Sequence, residues 1–286
     1  MATVGPIASL SVKPCVAIGA GLMLSRLRQL FGAVQPAPTA AIPAGERIYA
    51  VGDIHGCADL FEALIAGIDA DDTKRGGAQT TVILLGDLID RGPDSAGVLR
   101  LARDWQQRRG VRILMGNHEE MFLAALRKPS VMRPFLRFGG RETLLSYPID
   151  PADYTRAEIE GVMELAQAAI PQADLDFVAS FEDQVTIGDY HFVHAGVRPG
   201  QQLDAQKIGD LRWIREPFLD HAGDFGAVVV HGHTITAKVD FRTNRIGIDT
   251  GAYSSGRLTA LGLEGTTRWL LTAEASDGAI RVGTGD

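Results

Sequence analysis

Three stretches of this sequence place a glycine and then metal-ligand side chains directly after an apolar run. Arg47-Ile48-Tyr49-Ala50-Val51 leads into Gly52-Asp53-Ile54-His55-Gly56. Thr81-Val82-Ile83-Leu84-Leu85 leads into Gly86-Asp87-Leu88-Ile89-Asp90-Arg91-Gly92, and Val111-Arg112-Ile113-Leu114-Met115 into Gly116-Asn117-His118-Glu119. Two carboxylates and a guanidinium thus crowd the end of the second run. Packed carboxylates repel, and their pKa values split apart unless positive charge neutralises them. A metal ion supplies that charge. Two further runs end in histidine, at Val193-His194-Ala195-Gly196 and Val230-His231-Gly232-His233-Thr234. Each stretch alone has a structural explanation: Asp caps helices, Asn occupies turns, and a histidine closing a strand is usually a core group. Their recurrence at one position relative to a buried run points to a dinuclear metal centre.

Carboxylate, amide oxygen and imidazole without thiolate suit Mn²⁺, Fe or Zn²⁺ better than Cu. Asp87, with two carboxylate oxygens, can bridge two ions. That leaves Asp53 and His55 for one ion and Asn117, His194 and His233 for the other. Two ions about 3.5–4 Å apart lower the pKa of a shared water and clamp an in-line displacement. The chemistry expected is hydrolysis of a phosphate ester.

The elements that must position these groups follow from periodicity. The three runs read as buried strands, and spacings of about 30 residues leave room for one crossover helix between parallel neighbours. Leu60, Phe61, Leu64, Ile65 and Ile68 recur at helical spacing, a second helix runs from Pro93 to about Arg109, and a third from Glu119 to Leu126. The strand ends then line up along one sheet edge, where open α/β sheets carry their sites. From Pro129 to about Gln184 no strand-like run occurs. Helical patterns at 131–138 and 156–170 predict an inserted helical lid over 129–183, the part expected to select the substrate. Short runs at 184–187, 190–193, 227–230, 246–249, 258–263 and 267–272 predict a second sheet, and Gly188-Asp189 a hairpin turn. The fold class expected is α/β, with two mixed sheets.

With 45% hydrophobic and 22% charged residues, the 286-residue chain has an ordinary globular composition. A net charge of −7 argues against a nucleic-acid partner. Two cysteines, Cys15 and Cys57, imply no disulfide framework and fit a reducing, cytoplasmic setting. No base is placed to make Cys57 a nucleophile. Residues 1–44 read as a loosely attached extension, with Pro36, Pro38 and Pro43 as a linker. Its apolar run, Cys15 to Leu24, is too short for stable membrane insertion. Met23 to Phe31 has the pattern of a short amphipathic helix; a start of translation at Met23 is preferred over a signal peptide. The main domain is expected over 45–275, followed by a tail at 276–286.

GDIHG at 52–56, GDLIDRG at 86–92, GNHE at 116–119, HAG at 194–196 and GHT at 232–234 together resemble the signature of the PPP-type serine/threonine protein phosphatases, in their bacterial and phage branch, within the calcineurin-like metallophosphoesterases. The resemblance covers about residues 46–265 and implies a four-layer αββα sandwich. It implies Asp53, His55, Asp87, Asn117, His194 and His233 as metal ligands, and in-line attack by a hydroxide bridging two ions without a phosphoenzyme. His118 would protonate the leaving alkoxide while Asp90 holds its imidazole. Arg91 and Asn117 would bind the phosphoryl group. Trp213-Ile214-Arg215-Glu216 is similar to an element that adds Arg215 as a second clamp; the alternatives are a surface salt bridge to Glu216, with Arg141 as the clamp instead. The pattern favours His233 over His231, leaving His231, like His191 and His221, a structural role. The substrate implied is a phosphorylated protein or small phosphoester. The alternative is a diadenosine tetraphosphate or other nucleotide hydrolase on the same framework. Such enzymes typically carry Ala in place of Asp90 and another residue after GNH, so Asp90 and Glu119 favour the protein phosphatases. A binding module without chemistry is disfavoured, because every catalytic position is filled.

Overall fold

β1 (Glu46–Val51), β2 (Gln79–Leu84) and β3 (Val111–Ile113) form where the apolar runs predict them and pair in parallel, with Val51 opposite Leu84 and Leu84 opposite Ile113. The computed structural model describes residues 1–3, 5 and 39–285. The expected features of the extension from Cys15 through Pro38 lie outside the described residues. The crossovers are α1 (Ala58–Arg75) and α2 (Ser95–Arg108), and α3 (Asn117–Ala125) follows β3. Leu60, Phe61, Leu64, Ile65 and Ile68 form the buried face of α1, as their spacing requires. The main unit begins at Ala40 rather than 45. Ile42 is buried, and its N–H donates to Gly265 O at 2.8 Å.

Past β3 come α4 (Pro129–Phe135), a π-turn (Leu136–Gly140), α5 (Arg141–Leu145), α6 (Pro151–Arg156), α7 (Ile159–Ala169) and α8 (Gln172–Ala179). Met132, Phe135, Leu144, Val162 and Val178 from this segment share one core with α1, α2 and the outer face of the first sheet. The segment is therefore part of the helical layer. Its 139–143 portion reaches Asp90 and Arg91, and Glu182 at its end bonds to the end of β3 through Ile113 and Met115.

β4 (Gln184–Ile187) and β5 (Tyr190–Val193) make the predicted hairpin; α9 (Ile208–Trp213), β6 (Val228–His231), β7 (Asp240–Phe241) and β8 (Arg245–Gly247) follow. After a short helix, α10 (Ala252–Ser255), β9 (Arg257–Glu264), β10 (Thr267–Ser276) and β11 (Ala279–Gly285) close the chain. The first sheet runs β11-β10-β9-β1-β2-β3 and the second β4-β5-β6-β8-β7. Both mix parallel and antiparallel pairs. Ile48, Ala50, Ile83, Tyr190, Phe192, Val230 and Leu261 fill the space between them. The result is the expected sandwich of two mixed sheets, with α9 and the cluster around Phe218 on the outer side of the second. Two expectations are corrected. β9 and β10 belong to the first sheet, and residues 276–285 are no tail: β11 pairs with β10 along its length, Ser276 to Leu270 against Ala279 to Gly285. Its Ile280-Arg281-Val282 is too short and mixed a run to stand out from a polar terminus.

The buried Arg47 side chain joins these layers. It donates from Nε to Glu264 at 2.8 Å, from Nη1 to Asp72 Oδ1 at 2.8 Å and from Nη2 to Gly76 O at 2.8 Å. Asp72 also accepts from Arg109 Nη2 at 2.9 Å and from Thr80 at 2.5 Å. Partial burial opposes the Asp72 charge, but Thr80, Arg47 and Arg109 outweigh it and hold the carboxyl below the usual carboxylate range. A depressed folded-state pKa stabilises above the unfolded value and is lost as pH falls through the folded one. Asp72→Asn should therefore cost about 1–3 kcal/mol at neutral pH. In urea titrations the gap to the parent should close in acid; a gap that persists below the carboxylate range would refute the charge assignment.

Candidate metal centre

Six strand ends meet at one place. β1, β2 and β3 deliver Asp53, Asp87 and Asn117, while β5, β6 and β8 deliver His194, His233 and Asp249. The backbone is distorted there. His55, Asp87, Asp90, Arg91 and His233 all have left-handed φ, between 46° and 74°. Such conformations cost a non-glycine residue energy and persist where the surroundings enforce them, commonly at functional sites. Gly116 permits the close approach: a Cβ there would lie 2.2 Å from Asp87 Oδ1 and 2.6 Å from Glu119 Oε2.

Asp87 is central. Its Oδ2 lies 3.5 Å from His55 Nε2 and its Oδ1 3.4 Å from His194 Nε2. Two overlapping groups result, each compact enough to hold an ion: Asp87 with His55 and His118, and Asp87 with His194 and His233. His55 Nδ1 donates to Ile89 O and His194 Nδ1 to Leu85 O, both at 2.8 Å, which leaves each Nε2 lone pair directed inward. Burial drives His55 and His233 down to about 3, so both imidazoles are neutral, as ligands must be. Burial opposes the Asp87 charge as well, yet His194, His118 and His55 around it hold its carboxyl well below the usual range.

Three observations test whether cations fit. Asn117 Oδ1 and His194 Nε2 face each other at 2.9 Å as two acceptors, an arrangement that a shared cation relieves. Arg91 places a guanidinium between two imidazoles, Nη1 at 2.8 Å from His55 Nε2 and Nη2 at 3.0 Å from His118 Nε2, so positive charge already sits where these ring nitrogens converge. Asp53 is buried and accepts from the His233 N–H at 3.0 Å. Burial, then Asp249, then Asp87 raise its pKa well above the usual range. Asp53, Asp87 and Asp249 crowd this volume, and divalent cations would balance their charge. The residues present fit two such ions.

His118 Nδ1 donates to Asp90 Oδ2 at 2.6 Å, and its Nε2 points into the site, 3.9 Å from Asp87 Oδ2. Burial works against a charged imidazole, but Asp87 and Asp90 outweigh it and hold its pKa above the ordinary histidine value. Two residues that sequence reasoning missed support Asp90. Thr143 donates to its Oδ1 at 2.5 Å, and the Asp90 N–H donates to Thr143 and Ser95 hydroxyls at 2.9 and 3.0 Å. Glu119, placed in sequence only as a family marker, is fully buried and accepts from the N–H groups of Asp87, Leu88, Ile89 and Gly116. Burial and the Asp87 charge push it up to about 7 against the pull of those donors. Asp249, at 1% exposure, reads in the sequence only as the end of a strand; burial pushes its carboxyl up to about 6. Its signal is available there, since Ile246-Gly247-Ile248-Asp249 repeats the pattern of an apolar run closed by a ligand-type residue.

Arg215 is exposed and directed at the site, with Nε 3.4 Å from His233 Nε2; among the described residues it makes no ion pair with Glu216. Arg141 pairs instead with Glu142 at 3.2 Å. His231 faces away from the metal groups, stacking edge-on against Phe218 with ring centres 5.0 Å apart. The strand ends at His231, and the left-handed turn at His233 separates two histidines that a continuous strand would have pointed alike. His191 bonds to Thr186 and His221 packs on Phe225, both off the site. Burial pushes the Cys57 thiol up to about 12, which excludes a ready thiolate.

Residues 46–252 match the calcineurin-like phosphoesterase family. The chain is 33% identical over 185 residues to the symmetrical bis(5'-nucleosyl)-tetraphosphatase of Acidovorax sp. (strain JS42), covering 64% of this chain and 51% of that one; it thus spans about half the length of that relative. It is 31% identical over 219 residues to serine/threonine-protein phosphatase 1 of Salmonella typhimurium, covering 74% and 89%. Among solved structures, the cold-active protein-tyrosine phosphatase of a psychrophilic Shewanella superposes with a TM-score of 0.51 at 19% identity, over 87% of this chain and 83% of that one. The chain is thus similar to relatives of both the nucleotide and the protein class.

Proposed function

Because the chain belongs to the calcineurin-like phosphoesterases, a family of metal-dependent hydrolases, we propose that it is a phosphomonoesterase acting on phosphorylated serine or threonine. The observation that carries this reading is the His118–Asp90 pair, 2.6 Å apart, with Thr143 and Ser95 fixing Asp90. An alkoxide is a poor leaving group and gains most from a positioned acid. His118 Nε2 would hand its proton to that oxygen, and Asp90 would keep the imidazole charged and oriented until then. Asp53, His55, Asp87, Asn117, His194 and His233 would hold two divalent ions. Such ions, when bound, activate water and neutralise charge developing on the phosphoryl group. Arg91 and Arg215 would grip its oxygens, with Asn117 beside them, and a guanidinium can hold two oxygens at once. Asp249, through Asp53, would position the ligand set.

A second reading is hydrolysis of diadenosine tetraphosphate, favoured by the Acidovorax relative and others of its kind. A phosphate leaving group needs less protonation, so that reaction would lean less on His118. The test is to strip the protein with a chelator, restore Mn²⁺ or Zn²⁺, and compare a phosphoserine peptide with diadenosine tetraphosphate. Activity should vanish on stripping, return with metal, and show the higher kcat/KM on the peptide. Full activity in the stripped protein would sink the metal assignment. A preference for the dinucleotide would install the second reading.

A further inference from the structure

Residues 127–141 carry five cations, Arg127, Lys128, Arg133, Arg137 and Arg141, and no Asp or Glu, in a chain whose net charge is −7. Several arginines elsewhere, among them Arg47, Arg109, Arg198 and Arg245, are tied to carboxylates. Among the described residues Arg133 and Arg137 have no ion-pair partner, and both are exposed. Helix α4 and the π-turn after it bury Met132 and Phe135. That directs Arg133 and Arg137, one turn apart, to solvent with roughly 6 Å of rise between them. Charges kept so close together without carboxylates add nothing to the fold, since like charges one turn apart repel. The strip also leads to the site. After Arg137 the chain passes the exposed Phe138 to Gly139, whose carbonyl accepts from the Arg91 N–H at 3.1 Å. Gly139 has φ +111°, and a Cβ on it would lie 2.7 Å from Arg91 Cγ. Arg137 thus stands two residues from the contact that seats Arg91.

We propose that Arg133 and Arg137 are specificity residues that bind a second anionic group of the substrate, beyond the phosphoryl group being hydrolysed. The inference rests on the phosphoesterase reading above. Carboxylates flanking a phosphorylated serine and the further phosphates of a dinucleoside polyphosphate offer the same chemistry, and guanidinium pairs with either. Alternate side chains of an extended peptide stand about 6.7 Å apart, close to the spacing of the two arginines.

The test uses the full chain loaded with Mn²⁺ and the double variant Arg133→Gln/Arg137→Gln. p-Nitrophenyl phosphate, which lacks a second anion, should show unchanged kcat and KM. A phosphoserine peptide with alternating Asp residues, or diadenosine tetraphosphate, should show KM raised roughly three- to tenfold, the size of effect that removing two exposed ion pairs produces, with a flatter dependence on salt. An increase confined to the peptide assigns the strip to acidic flanks; one confined to the dinucleotide assigns it to the polyphosphate. Equal KM for parent and variant on both polyanions would overturn the inference. Calorimetric binding of the same two compounds needs no turnover and should show the same loss of affinity. A parent that binds them more tightly than the variant yet hydrolyses nothing would count against the proposed activity and leave the strip's assignment standing.

Discussion

His118→Asn is expected to slow hydrolysis of a phosphoserine peptide by roughly 10²–10⁴, the usual contribution of a positioned general acid. The imidazole is fixed from behind by Asp90 at 2.6 Å; burial works against its charged form, but Asp87 and Asp90 hold its pKa above the ordinary histidine value, the direction that a proton donor needs. Asn fills similar space and can hydrogen bond to Asp90, but has no proton to give. The loss should shrink on p-nitrophenyl phosphate, whose leaving group is stable without protonation. Metal content must be measured alongside, because His118 Nε2 also stands with His55 and Asp87 in a group compact enough to hold an ion. Two ions retained, with a leaving-group-dependent loss, identify the acid. Equal losses on both substrates together with a missing ion would make His118 a ligand instead.

Glu119→Gln should be the most disruptive of the conservative changes near the site. The carboxylate accepts four backbone N–H groups at 2.7–3.3 Å, two on each oxygen, and it is fully buried. An amide offers one oxygen, so its NH₂ must face two donors that no water can reach. Each buried donor left unpaired costs about 1–3 kcal/mol, so the two together cost about 2–6 kcal/mol. For a domain of this size each kcal/mol lowers Tm by about 2–4 °C. The same N–H groups shape the left-handed turn that presents Asp87, so metal affinity should fall by roughly 10- to 100-fold, as for other groups that orient ligands. Calorimetry and a metal titration on one sample would read both. A Tm and an affinity equal to the parent's would show that the turn is held by its other contacts.

The local pattern alone made much of this protein legible. An apolar run, a glycine and a ligand-type side chain are neighbours along the chain, and strand formation and metal chemistry are both written in residue type. β1, β2, β3, β5 and β6 and the groups at their ends could therefore be read before any contact was known. The helical faces of α1 and α2 followed from the same periodicity. What tertiary structure decided lies across long sequence separations. Thr143 meets Asp90 from 53 residues away, and Asp53 meets the His233 backbone from 180. Serine and threonine are common on any surface, so nothing local marks Thr143 or Ser95 as partners of the site. Strand periodicity alone did not separate His231 from His233, although the resemblance to the family motif favoured His233. Alternation along a strand would have aligned them, and only the end of β6 and the left-handed turn at His233, imposed by packing around Asp53, set one against Phe218 and the other beside Asp87. Arg215 likewise had an acidic neighbour in sequence but is drawn toward His233 in space. Sequence periodicity reports which faces are buried, whereas the direction of a side chain beyond a strand end depends on backbone angles that distant residues enforce.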